Sequence, residues 1–115
     1  MNIFRDPRWG RGHETYGEDP YLTSRLGVAY VEGLQGSQDD EYMKTAACAK
    51  HFAVHSGPEG VRHEFDAKAS KKDMYETYLP AFEACVKEAG VEAVMGAYNR
   101  KIGRASCRER VSVRV

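Results

Sequence analysis

Hydrophobic and polar positions along the chain first indicate a helix that begins at Asp19-Pro20. Aspartate is a frequent helix cap, and proline is well suited to the first helical turn. Apolar and small residues then recur at helical spacing as far as 33–36, where glycine is expected to end the helix. The spacing predicts a buried face made of Leu22, Leu26, Ala29, Tyr30 and Gly33.

A second helical pattern covers residues 71–89. Ser70 and Asp73 resemble a capping box at its start, and Gly90 is placed to end it. Pro80 lies inside the pattern and is expected to bend the helix, because proline lacks the backbone N–H that a helix interior uses. The apolar face predicted for this helix consists of Tyr75, Tyr78, Leu79, Phe82, Cys85, Val86 and Ala89.

Short apolar runs at 45–51 and 91–97 predict two strands. The second helix lies between them, and no hairpin signal joins them. Helices that alternate with strands in this way indicate right-handed crossovers and a parallel sheet. The pattern therefore predicts an α/β fold.

Polar side chains gather where the first strand is expected to end, at Lys50 and His51. The following loop, 54–69, is long for a connection between a strand and a helix. Ligands in parallel α/β folds bind at the carboxyl ends of strands. Because neighbouring strand residues face opposite ways, Lys50 and His51 could reach one ligand only where the strand breaks or twists.

Composition narrows the possible functions. The 115 residues are 42% hydrophobic and 30% charged, which suits one globular domain. The 17 basic and 17 acidic residues balance, which gives no reason to expect a nucleic-acid or anionic membrane partner. No apolar run reaches the roughly 18 residues of a transmembrane helix. The first residues lack the apolar core of a signal peptide, and localisation stays open.

Cysteine and histidine spacings do not predict a metal site. The three cysteines form neither a metal-ligand spacing nor an even disulfide set, and Cys48 and Cys85 fit core positions. Three histidines lie close together in sequence: His51, His55 and His63. The glycines and proline between them exclude a helix that would present all three on one face.

Three motifs resemble glycoside hydrolase family 3, which contains β-glucosidases and β-xylosidases. They are DPRWGRGHETYGEDP at 6–20, AKHF at 49–52 and VMGAYNR at 94–100, in the family's order and at about its spacing. The resemblance covers residues 1–100 and implies the middle of the family's N-terminal barrel domain. The expected fold is a partial (β/α)8 TIM barrel of about two to three βα units with parallel strands, since a complete barrel needs roughly 250 residues.

The resemblance also implies part of a sugar subsite. Sugar hydroxyls bind well to ionised side chains, because charge-assisted hydrogen bonds are strong. The substrate-binding residues implied by the motifs are Arg11, Lys50, His51, Arg62 and Tyr98. The family's nucleophile is an aspartate in an S-D-W type motif, which does not occur here. Neither the nucleophile nor the acid/base is therefore expected in this chain. The acids near the first motif are not expected to replace them; these are Glu14, Glu18 and Asp19.

Each functional assignment has a structural alternative. Arg11, Lys50 and His51 could instead face solvent. Arg62 and His63 could form a local ion pair with nearby acids, and Tyr98 could pack as a core aromatic. Trp9 could be either a platform on which a sugar stacks or a buried structural residue.

By resemblance, the parent protein is a retaining hydrolase that removes terminal nonreducing β-D-glucosyl or β-D-xylosyl residues from oligosaccharides or aryl glycosides, without a cofactor. This chain alone is expected to be inactive without the remainder of the barrel and a C-terminal domain. One alternative is a β-N-acetylhexosaminidase, whose distinctive loop KHF-P-G-H-G does not occur here. The other is a non-catalytic α/β carbohydrate-binding or interaction module.

The last fifteen residues break the pattern of the chain. Residues 101–115 carry five basic residues and one acid, whereas residues 1–100 carry 12 basic and 16 acidic residues. The stretch resembles the translation of a sequencing adapter. We therefore predict one domain fragment at 1–100 and a non-native or disordered tail at 101–115, which does not pack on the rest and forms at most a short edge strand around 111–115.

Overall fold

The computed structural model describes residues 1–61, 63–101, 104–105 and 112–114. Its helices are α1 (Pro20–Gln35), α2 (Lys71–Asp73) and α3 (Pro80–Lys87), with short 3₁₀ turns at Gly12–Glu14 and Glu59–Val61. Its strands are β1 (Cys48–Phe52), β2 (Ala93–Gly96), β3 (Arg100–Lys101), β4 (Arg104–Ala105) and β5 (Ser112–Arg114). Within the described residues, no helix is both long enough and apolar enough to cross a membrane.

Strands β1 and β2 lie side by side in parallel, with Cys48 opposite Ala93 and Lys50 opposite Met95. Helices α1 and α3 pack against each other, and their buried residues form one core with residues beside the strands. The core consists of Val28, Val31, Ala47, Ala49, Phe82, Ala84, Cys85, Ala89 and Val91. The predicted α/β arrangement with parallel strands is therefore confirmed.

The buried side chain of Gln35 connects the end of α1 to the start of both strands. Its Oε1 accepts hydrogen bonds from the backbone N–H of Ala47 at 3.3 Å and of Glu92 at 2.9 Å. Its Nε2 donates to the carbonyl of Gly90 at 3.0 Å. Because these backbone groups bond to a side chain, regular pairing begins only at Cys48 and Ala93, later than the predicted starts at 45 and 91.

Helix α1 has the predicted limits, but its buried face is different from the one predicted. Asp19 caps the helix through a hydrogen bond from the N–H of Leu22, and the helix ends at Gly36, whose φ is +85°. The residues that face the protein are Thr23, Ser24, Gly27, Val28, Val31 and Gln35, whereas the predicted face is exposed. A Cβ at Gly27 would lie 2.7 Å from Sδ of Met1 and 3.2 Å from Sγ of Cys85, so Met1 and α3 both approach this side of the helix closely. Apolar spacing alone therefore selected the wrong side of the helix.

The second helical region is interrupted as predicted near Pro80. Ser70 accepts a hydrogen bond from the N–H of Asp73, and α2 continues into a π turn at Met74–Tyr78. The N–H of Leu79 donates to the carbonyl of Met74. This wider turn precedes Pro80, which has no N–H to donate and begins α3. Most of the predicted apolar face is buried or half-buried, but Tyr75 is exposed.

Part of the tail packs on the rest of the chain, contrary to the expectation for 101–115. β5 pairs antiparallel with β2, and β3 pairs antiparallel with β4, which the sequence pattern did not indicate. The exposed edge of β2 offers backbone donors and acceptors to any strand, whatever its side chains. β5 lies in the stretch where an edge strand was expected. That residues 101–115 are foreign to the domain stays a prediction.

We predict that the isolated chain associates or unfolds without a cooperative transition. Leu22, Leu26 and Tyr30 are 48%, 43% and 59% exposed, so an apolar strip of α1 faces water. Exposed apolar strips and unpaired strand edges favour association. Size-exclusion chromatography and calorimetry of the purified chain test this. A monomer that unfolds in a single cooperative step would contradict the prediction.

Candidate functional site

The end of β1 departs from regular strand pairing. The register shifts between Lys50 and Phe52, so His51 falls between paired positions. The peptide bonds Lys50–His51 and Phe52–Ala53 are cis. Lys50 and His51 both line one cleft. The strand is therefore irregular at Lys50 and His51, as the sequence pattern required if both residues were to reach one ligand.

The side chain of Asn2 holds this irregular backbone in place. Its Nδ2 donates to the carbonyl of His51 at 2.7 Å and to that of Ala53 at 3.1 Å. Its Oδ1 accepts a hydrogen bond from the N–H of His51 at 2.8 Å. Asn2 is buried, and both ends of its amide bond to the same short segment. It therefore supplies the hydrogen bonds that a neighbouring strand would otherwise provide.

The loop after β1 is tied to the first residues of the chain and to the end of β2. Nε of Arg5 donates to the carbonyl of Ser56 at 2.8 Å, and Oγ of Ser56 donates to the carbonyl of Ile3. On the other side, Nδ2 of Asn99 donates to the carbonyl of Val54 at 2.8 Å. These bonds hold the loop between two neighbouring segments.

A cleft of about 150 Å³ opens beside the end of β1. Its polar lining includes Asn2, Glu14, Lys50 and His51, and Trp9 contributes an aromatic wall. Small-molecule sites usually enclose roughly 300–1,000 Å³. The cleft is therefore the size of one part of a ligand site.

His51 is buried in a stack of rings. Its ring centroid lies 4.2 Å from that of His55, and the Trp9 ring meets His55 edge-on at 5.8 Å. Burial lowers the pKa of His51 to about 3, and the charges of His55, Lys50 and Arg11 act in the same direction. His51 is therefore a neutral imidazole near pH 7, able to donate one hydrogen bond and accept another.

Trp9 is buried and packs between the rings of Phe4 and His55. Its centroid lies 6.1 Å from that of Phe4. Within the described part of the chain, the indole Nε1 is buried without a hydrogen-bond partner. These contacts favour the structural interpretation of Trp9 over an exposed platform for a sugar.

Arg11 pairs with Glu14 across the 3₁₀ turn. Nε donates to Oε1 at 2.8 Å and Nη2 donates to Oε2 at 2.6 Å. The hydrogen bond from Arg11 lowers the pKa of Glu14, and the charge of Lys50 acts in the same direction. Glu14 lines the cleft with Lys50 and His51, and Arg11 joins this cluster through its pair with Glu14.

The remaining residues predicted for the subsite lie apart from this cleft or outside the described residues. Tyr98 follows β2, is 44% exposed, and has its ring 5.3 Å from that of His63. The neighbouring Ala97 donates its N–H to the carbonyl of Phe52 at 2.7 Å, which places the end of β2 beside β1. Tyr98 is thus not a core aromatic in this structure. Arg62 lies outside the described residues.

Three residues at the site were not recognised from the sequence as parts of it: Asn2, Glu14 and His55. Glu14 lies three residues after Arg11 and His55 lies four after His51, spacings that could have suggested partners. Asn2 acts through contacts 49 and 51 residues away in sequence, which no local pattern indicates.

The cluster can bind a ligand that carries several hydroxyl groups. Lys50 and Arg11 offer charged donors, Glu14 offers a charged acceptor, and His51 offers one of each kind. Among the described residues, no group of three or more histidine, cysteine, aspartate or glutamate side chains is arranged to hold a metal ion.

Sequence comparison shows close relatives of this chain. It is 62% identical to a protein named xylan 1,4-beta-xylosidase from Xylanibacter ruminicola, over 87% of this chain and 12% of that protein. It is 46% identical to beta-xylosidase/alpha-L-arabinofuranosidase 1 of Medicago sativa subsp. varia, over 93% of this chain and 14% of that protein. The chain therefore spans only a small part of the length of these relatives.

Solved structures of similar enzymes share its fold. A GH3 exo-beta-xylosidase (XlnD) in complex with a xylobiose aziridine activity-based probe aligns with a TM-score of 0.85 at 38% identity, over 93% of this chain and 15% of that one. The beta-glucosidase from Listeria innocua in complex with glucose aligns with a TM-score of 0.77 at 41% identity, over 92% of this chain and 15% of that one.

The expected fold class, a partial (β/α)8 barrel with parallel strands, is confirmed by these neighbours. The model of the glycosyl hydrolase family 3 N-terminal domain matches residues 1–110. The chain belongs to glycoside hydrolase family 3, as a part of its N-terminal domain.

Proposed function

We propose that the protein containing this chain is a retaining glycoside hydrolase that removes terminal nonreducing β-linked xylosyl or glucosyl residues, and that this chain supplies part of its sugar-binding subsite. The observation that carries the proposal is the cleft at the end of β1. There Lys50 and His51 lie with Glu14, and Arg11 is held at the same cluster. Membership of glycoside hydrolase family 3 supports the same conclusion.

Each residue of the cluster has a defined part in the proposed binding. Lys50 and Arg11 donate charge-assisted hydrogen bonds to sugar hydroxyls, each worth about 1.5–3 kcal/mol. His51 binds a hydroxyl as a neutral group, so it recognises a sugar without adding charge to the subsite. Tyr98 and Arg62 are proposed to contact the same sugar from the neighbouring strand end and from the long loop.

The chemical step is proposed to use residues outside this chain. A carboxylate nucleophile attacks the anomeric carbon, and the leaving oxygen takes a proton from the general acid. Water then hydrolyses the covalent glycosyl-enzyme, with the acid acting as base. The subsite in this chain contributes by holding the sugar ring at the right distance and orientation for this attack, which is a large part of catalysis.

Xylosyl specificity is favoured over glucosyl specificity. The sequence relatives cited above are named as xylosidases, the first at 62% identity. Glucosyl specificity is the second candidate, because a beta-glucosidase in complex with glucose shares this fold at 41% identity. A non-catalytic carbohydrate-binding module would retain the cleft but would not hydrolyse either sugar.

We predict that the full-length parent protein hydrolyses nitrophenyl β-D-xyloside faster than nitrophenyl β-D-glucoside, measured as kcat/KM. The isolated 115-residue chain should hydrolyse neither, since the proposed nucleophile and acid lie elsewhere. Binding of both sugars by the parent without turnover would contradict the proposal and support the binding-module alternative. Turnover by the isolated chain that is lost in Lys50→Ala would place the chemistry here.

We predict that Arg11→Ala in the parent lowers kcat/KM for the xyloside by about tenfold to a hundredfold, the effect of losing a charged hydrogen bond. Arg8→Ala is the matched control. Arg8 lies three residues earlier and pairs with Asp6, and its side chain is 74% exposed, whereas that of Arg11 is 26% exposed and pairs with Glu14, which lines the cleft. The assignment of Arg11 to the subsite would be wrong if both variants kept wild-type kcat/KM.

We predict that His51 does not contribute an ionisation to the pH profile of the parent between pH 5 and 8. Its pKa of about 3 lies below the ordinary value near 6.5, so folded His51 stays neutral while the unfolded imidazole gains a proton as pH falls. His51 therefore costs stability progressively as pH falls from about 6.5 towards 3, and has no such effect above that range.

The variant His51→Asn keeps a neutral donor and acceptor at this position. It should lower kcat/KM without changing the shape of the profile of kcat/KM against pH. If the variant removed an acidic limb centred near pH 6.5, His51 would titrate in the wild-type enzyme, and the neutral role assigned to it would be wrong.

A further inference from the structure

We propose that Glu14 is a positioning residue, which fixes the guanidinium of Arg11 for contact with the sugar. The inference rests on the proposed function, because it assigns a specific task within the same subsite. Its starting point is the paired geometry described above, in which both oxygens of Glu14 accept hydrogen bonds from Arg11. Two parallel bonds fix the plane of the guanidinium as well as its position.

The backbone that carries the pair is itself firmly held. The N–H of Glu14 donates to the carbonyl of Arg11 at 3.0 Å, and Oγ1 of Thr15 donates to the carbonyl of Gly12 at 2.7 Å. A Cβ at Gly12 would collide with the ring of Phe4, so the turn packs closely on that ring. The turn that carries Glu14 is therefore held by its own hydrogen bonds and by its packing on Phe4.

Arg11 keeps hydrogen-bonding capacity after pairing. A guanidinium has five N–H donors, and Glu14 takes two of them, one on Nε and one on Nη2. The remaining donors lie on the two terminal nitrogens. Glu14 thus directs the free end of Arg11 while leaving it able to bind a hydroxyl.

The location of Glu14 distinguishes this pair from a simple surface ion pair. Glu14 lines the cleft together with Lys50 and His51, and its pKa is lowered by the hydrogen bond from Arg11 and by the charges of Arg11 and Lys50. Its negative charge offsets that of Arg11, so the cluster does not hold two uncompensated cations. The side chains of Arg11 and Glu14 are 26% and 39% exposed, which makes the pair a small contributor to stability.

The test uses Glu14→Gln in the full-length parent, with Arg11→Ala and the double variant. Glutamine has the same shape but keeps only one acceptor oxygen. We expect Glu14→Gln to lower kcat/KM for nitrophenyl β-D-xyloside by about tenfold or more, as a misplaced binding group can. The loss in Glu14→Gln should be divided between KM and kcat in the same proportion as the loss in Arg11→Ala. Glu14→Asp keeps the charge and should therefore lose less kcat/KM than Glu14→Gln.

Glu88→Gln is the matched control for loss of an ion pair. Glu88 accepts two hydrogen bonds from Nη2 of Arg25 between α1 and α3, and the two side chains are 43% and 48% exposed. This variant should keep wild-type kcat/KM. Both glutamine variants should keep a thermal midpoint close to that of the wild type, since exposed ion pairs contribute only about 0–1 kcal/mol.

The double variant separates the possible outcomes. If Glu14 acts through Arg11, Glu14→Gln causes no further loss in the Arg11→Ala background. A loss of the same size in both backgrounds would overturn the inference, because Glu14 would then act without Arg11. Wild-type kcat/KM in Glu14→Gln, alongside an impaired Arg11→Ala, would also overturn it while leaving the proposed function intact. Wild-type kcat/KM in Arg11→Ala would overturn the role of Arg11 itself.

Discussion

The hydrogen bonds between Asn2 and the backbone of His51 and Ala53 support the strand end on which the site depends. A strand that leaves its regular register exposes backbone groups, and such groups are costly when buried without partners. The Asn2 amide satisfies them with both its donor and its acceptor. The strand can therefore break its alternation at Lys50 and His51, and both residues can line one cleft.

Burial and charge at the cleft act together on His51. The ring is surrounded by His55 and by the charges of Lys50 and Arg11, all of which disfavour an imidazolium ion. The positive charge of the cluster consequently lies on Lys50 and Arg11 and not on His51. Glu14 provides the opposing charge.

The elements were largely predictable because local signals determine them. Asp19 and Ser70 cap helices, Pro80 interrupts one, and Gly36 ends another, each for a reason that is readable in a few neighbouring residues. The buried face of α1 was not predictable in this way. Because the chain approaches α1 closely at Gly27, small residues form the buried face of the helix. A prediction based on large apolar residues points instead to the strip of Leu22, Leu26 and Tyr30, which is exposed.

The site was predictable where motifs carried it and not where distant contacts did. Lys50, His51 and Arg11 came from a resemblance. The structure places Lys50 and His51 in one cleft and connects Arg11 to it through Glu14. Asn2 bonds to residues about fifty positions away, and Glu14 reaches the cleft only through the short turn at Gly12–Glu14. Such contacts depend on three-dimensional packing, which spacing along a chain does not specify.

Helix α1 connects the stability of this region to the precision of its site. One side of the helix packs on α3 through small residues, and the other presents Leu22, Leu26 and Tyr30 to water. Tyr30 also lines the cleft, next to Val31 and Leu34 of the same helix. Any protein segment that packed on the outer side of α1 would therefore also limit the movement of the residues that form this wall of the cleft. Because a binding group must be held within about 0.5 Å to be effective, cover on the outer side of α1 would also improve the accuracy with which the cleft holds a ligand.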